Sequence, residues 1–173
     1  MKGEVRMKPA TTNLLGIYLN DHLAGATAGT ELARRMARSH RGGEGSARED
    51  SAALNRLAAE IAQDRSALTD IMAALGVTVR AYKVGAAWIG EKAGRLKFNG
   101  HLLSRSPLSD LEELEILRLS VEGKAAGWRT LRVRADTDAR IDAGRLDELI
   151  SRAGRQIEEL EELRVRAASR VLT

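Results

Sequence analysis

Apolar residues recur in four separate stretches of this chain at alternating steps of three and four, the spacing that keeps side chains on one face of an α-helix. The first stretch, Leu15, Leu19, His22, Ala26, Gly29, Ala33 and Met36, predicts a helix over 12–39 that ends in the turn Arg41, Gly42, Gly43, Glu44, Gly45. The second, Leu54, Leu57, Ile61, Asp64, Leu68, Ile71 and Leu75, predicts a helix over 51–75 with Gly76 as its C-terminal cap. A third helix opens at Ser106 and Pro107, a cap followed by a first-turn proline, or at the capping box Ser109 to Glu112. Its stripe is Leu111, Leu114, Leu117, Val121, Ala125, Trp128 and Leu131. The fourth begins near Asp142 and is expected to bury Leu146, Leu149, Ala153, Gln156, Leu160, Leu163, Ala167 and Val171. The short polar links within each pair predict two antiparallel hairpins.

Between the second and third helices lie about thirty residues, 77–107, far more than a hairpin turn needs. Tyr82, Ala86, Ile89, Ala93 and Leu96 share a helical face there, with Arg80, Lys83, Glu91 and Arg95 away from it, so a partly helical crossover running the length of the bundle is expected. Residues 1–11 are read as a flexible N-terminus, and 1–173 as a single domain. The predicted class is all-α. Two helical hairpins joined by one long crossover resemble the ferritin-like superfamily of four-helix bundles.

Composition agrees with that class. The 173 residues are 43% hydrophobic but only 3% aromatic, the balance of packed helices rather than of β-sheet, and enough for one real core. There is no cysteine, which excludes disulfides, thiolate catalysis and Cys-based zinc or iron–sulfur sites. The apolar stretch after the basic N-terminus is short and interrupted, unlike a signal peptide, and no run approaches the roughly 20 apolar residues that span a bilayer. A cytoplasmic protein without an integral membrane segment is expected. Net charge is +4, and its excess lies in 77–107, where Arg80, Lys83, Lys92, Arg95, Lys97 and Arg105 face Glu91 alone.

Each stripe is interrupted near its middle by residues foreign to an apolar core: His22, Asp64, the pair Arg118 and Glu122, and Gln156. Counted from the turns at about 1.5 Å per residue, all can share one layer across the bundle. In ferritin-like diiron proteins that layer is a metal site, with a Glu from each of two helices and Glu-x-x-His from each of the other two. This chain has the position without the pattern. The first helix offers His22, the second reads Glu60, Ile61, Ala62, Gln63, Asp64, and the fourth offers Gln156 and Glu159 but no histidine. Three readings follow. His22, Glu60, Asp64 and Glu122 would suit a single iron, manganese or zinc ion; the layer would hold another small ligand; or its groups would satisfy one another, with His22 donating to Asp64 and Arg118 pairing with Glu122.

The basic crossover carries a different expectation. Arg80, Lys83, Trp88, Lys92 and Arg95 would form a partner surface, either for a second subunit in a homo-oligomer or for nucleic acid or another anionic surface bound through salt-sensitive phosphate contacts. No glycine-rich phosphate loop follows a strand, and no Ser/His/Asp spacing supports nucleophilic catalysis. The expected function is that of a ferritin-like bundle with a central polar layer in a structural, binding or stress-related role, without standard diiron chemistry. The alternatives are a metal-binding protein or oxidoreductase with a His/carboxylate site, and a nonspecific nucleic-acid-associated bundle.

Overall fold

Four helices form among the described residues, which in this computed structural model are 14–40, 45–80 and 107–172, and no strand forms among them. They are α1 (Leu14–Ser39), α2 (Ser46–Ala74), α3 (Pro107–Ala135) and α4 (Ala143–Leu172). Local chemistry sets their ends. Pro107 opens α3, where a missing N–H costs nothing. The Asp142 carboxylate accepts the Arg145 N–H at 3.0 Å and caps α4. At the end of α2, Gly76 takes φ +68°, while its N–H donates to the Ala73 carbonyl at 3.0 Å and that of Val77 to the Met72 carbonyl at 2.9 Å. That paired closure needs the left-handed conformation that glycine adopts without strain.

The stripes of α3 and α4 are buried as their spacing predicts, except that Val171 is only half-buried. The first two helices depart further: in α1, Leu15, His22 and Ala26 are only half-buried, while Leu23 and Leu32, outside the expected stripe, are buried. Met72 rather than Ile71 is fully buried in α2, and α2 reaches back to Ser46 instead of Ser51. The added turn has no apolar seam residue. It is held by Asp50, a buried carboxylate that accepts from Arg166 Nε at 2.9 Å and Arg170 Nη1 at 3.0 Å at the end of α4.

Individual contacts fix the directions of the helices. Along α1 and α3, Arg35 meets Glu113, Gly29 meets Ser120 and His22 meets Gly127, so these two helices run antiparallel. Along α2 and α4, Asp50 meets Arg166, Arg56 meets Glu159 and Asp64 meets Arg152. Along α3 and α4, Glu115 meets Arg164 and Arg132 meets Asp147. These pairs too are antiparallel, and α1 packs against α2. The chain leaves α2 beside the start of α1, where the Asn20 side chain donates to the Thr78 carbonyl at 3.1 Å and accepts the Arg80 N–H at 2.7 Å. It re-enters α3 beside the end of α1, where His40 lies 3.3 Å from Asp110. Those two points are at opposite ends of the bundle.

Candidate functional site

Asp64 is the most buried acidic side chain in the molecule among the described residues, with 1% of its surface exposed. An uncompensated carboxylate there would cost several kcal/mol, so its surroundings must supply donors. They come from two helices. The Lys124 ammonium on α3 donates to Asp64 Oδ2 at 2.5 Å, and the Arg152 guanidinium on α4 donates to Oδ1. Gln156, also fully buried, bridges the group: its Oε1 accepts from Lys124 at 2.5 Å, and its Nε2 donates to Glu60 Oε2 at 2.9 Å and to Asp64 Oδ2 at 3.2 Å. Arg152 also reaches Gln63 at 3.4 Å. Two carboxylates, an ammonium, a guanidinium and an amide therefore close a layer that is neutral when all four ionisable groups are charged.

Lys124 is the unusual member. Burial pushes its pKa below the ordinary lysine value, opposed by the Asp64 carboxylate, which attracts and hydrogen-bonds the ammonium, and by the more distant Glu60; Arg152 adds to the lowering. Its signal in the sequence was the heptad Leu117, Val121, Lys124, Trp128, Leu131, which puts it on the inward seam of α3. A reading that expects lysine on the surface passes over to Ala125. Arg152 flanks the α4 stripe, beside Ala153, and its aliphatic stem lets the guanidinium enter the layer from the rim.

The other residues expected in the layer lie elsewhere. His22 is level with Asp64 through its contact with Gly127 and the α3–α4 register, but leaves α1 on the facet that faces α3. There its ring meets Tyr18 edge to face, with centroids 4.4 Å apart. It lies so close to α3 that a Cβ on residue 127 would fall 2.9 Å from His22 Cε1. Burial lowers the pKa of this imidazole, with Asp21 opposing the shift. The expected donation from His22 to Asp64 is not made, because Asp64 leaves α2 toward α4. Arg118 and Glu122 do approach each other, at 3.7 Å, but on the outer rim, where Arg118 also meets Glu161 at 3.1 Å.

His22, Glu60, Asp64 and Glu122 consequently do not form one ligand set. No group of three or more His, Asp or Glu side chains among the described residues is placed to hold a metal ion. Glu60 and Asp64 do converge, onto Gln156 and Lys124. Of the expected partner surface, Arg80 is exposed and held through its backbone by Asn20, while Lys83, Trp88, Lys92 and Arg95 lie outside the described residues. No described helix is long and apolar enough to cross a membrane. No family model, curated protein or solved structure matches this chain.

Proposed function

We propose that this chain is a ferritin-like bundle whose central layer is closed by its own cations, and that it serves a structural or binding role without standard diiron chemistry. The ferritin-like reading is supported by connectivity: α2 and α3 run in the same direction, each antiparallel to both α1 and α4, so the connection between them joins opposite ends. One observation carries the functional reading. The Lys124 ammonium sits between Asp64 and Gln156, so side-chain positive charge already meets the carboxylate that a metal ion would need. A layer neutralised in this way orients five groups from three helices and specifies how those helices pair, a role attested for buried polar groups in other helical assemblies.

The test is metal content in protein purified without a metal-affinity tag, before and after incubation with iron, manganese or zinc. The expected result is no stoichiometric uptake by the wild type. Stoichiometric metal that disappears in Asp64→Ala would sink this reading and favour a metal-binding protein or oxidoreductase.

A further inference from the structure

α3 carries a second seam. Two residues beyond Leu114, Leu117, Val121, Lys124, Trp128 and Leu131 on its inward seam lie Ile116, Leu119, Gly123, Ala126, Thr130 and Val133, again at alternating steps of three and four. A step of two is about 200° of helical rotation, so this row faces away from the core. All but the half-buried Ile116 are exposed, Leu119 by 64% and Val133 by 73%. No charged residue interrupts the row, although charges flank it. A Cβ built on Gly123 would meet no atom within 4 Å. An exposed mid-helix glycine costs about 1 kcal/mol against alanine, and in the middle of this row it leaves room for another backbone to approach closely.

The seam is complementary to itself. When two copies of α3 are laid antiparallel about a two-fold axis between Gly123 and Ala126, Ile116 faces the partner's Val133, Leu119 faces the partner's Thr130, and Gly123 faces the partner's Ala126. These are the facing positions of an antiparallel coiled coil, with the smallest residues where the helices come closest. Charge agrees with the same register. On the flank beside α4, Glu122 comes opposite the partner's Arg129, and the two-fold axis makes this pair twice. Arg129 is exposed and pairs with no described residue, while Glu122 has only the 3.7 Å approach of Arg118. We infer that the outward face of α3 is a homodimer interface, in which a second copy of this chain docks antiparallel through Leu119, Gly123, Ala126 and Val133. This rests on α3 alone and stands or falls independently of the central layer.

Eighteen residues of paired helix are about 27 Å long, at the small end for a stable interface, so association belongs in the micromolar range. Molar mass by light scattering and sedimentation, from roughly 1 to 500 μM chain, should show a reversible monomer–dimer equilibrium. Leu119→Glu should abolish the dimer while leaving unchanged the circular dichroism spectrum and the melting measured at concentrations where the wild type is monomeric. Glu122→Arg should weaken dimerisation about tenfold, because symmetry counts the repulsion twice, and adding Arg129→Glu in the same chain should restore it. A wild type that stays monomeric throughout, or a dimer indifferent to Leu119→Glu, overturns the proposal. So does a Leu119→Glu variant that melts early with no change in mass, since the seam would then be covered by the chain's own residues. Failure of the second charge reversal to rescue the first excludes this register.

Discussion

A carboxylate with 1% exposure and a lysine beside it depend on each other unequally. Asp64→Ala takes from both Lys124 and Arg152 the carboxylate they share, and is expected to cost about 3–5 kcal/mol in urea unfolding. Lys124→Met leaves Asp64 its contacts with Arg152 and Gln156, so a loss of about 1–3 kcal/mol is expected. Equal losses would show that the layer does not hang on Asp64. His22 provides a pH test. Its folded-state pKa lies below 6.5, so its neutral form favours folding. The resulting stability is complete above the unfolded value and is lost as pH falls through the lowered one. Thermal melts of the wild type should therefore fall more steeply on acidification through that window than those of His22→Asn; parallel curves would remove His22 from the account. The sequence pointed to Asp64 and Gln156 because a polar residue in an apolar stripe is conspicuous. Lys124 and Arg152 were not legible in the same way, since a long cationic side chain on a seam position or its edge reads as a solvated face until the facing helix is known.

At the scale of elements, two glycines on α3 make opposite predictions. Gly127→Ala would drive a Cβ to 2.9 Å from His22 Cε1 and 3.0 Å from Nδ1, and is expected to destabilise by about 1–3 kcal/mol despite the better helix propensity of alanine. Shortening the opposing residue, His22→Ala, should remove the clash. Gly123→Ala, measured at concentrations where the chain is monomeric, should instead stabilise by about 1 kcal/mol. If both substitutions moved stability the same way, the inward and outward assignments of the two faces would be at fault. Helix boundaries were legible wherever a cap or a proline marks them, as at Pro107, Asp142 and Gly76. The first turn of α2 was not, because what holds it is Asp50 against arginines over a hundred residues away in sequence, and no local pattern records such a pairing.

For the whole molecule, the four stripes were enough to give four helices and most of the core, since burial is a property of spacing. Which side chains meet depends on azimuth as well as height, and the His22–Asp64 expectation failed on azimuth alone. The positions of the two ends that flank residues 81–106 carry a further consequence, for rebuilding the chain. Arg80 and Pro107 lie at opposite ends of a bundle whose third helix has 29 residues, about 43 Å. An extended strand needs roughly 13 residues to cover that span. A glycine–serine tether longer than this, replacing 81–106 in a Leu119→Glu background, should still let one chain close its own bundle. A shorter one cannot reach, and each α1–α2 hairpin must then find its α3–α4 mate in another molecule, turning tether length into a switch between self-closure and exchange of halves.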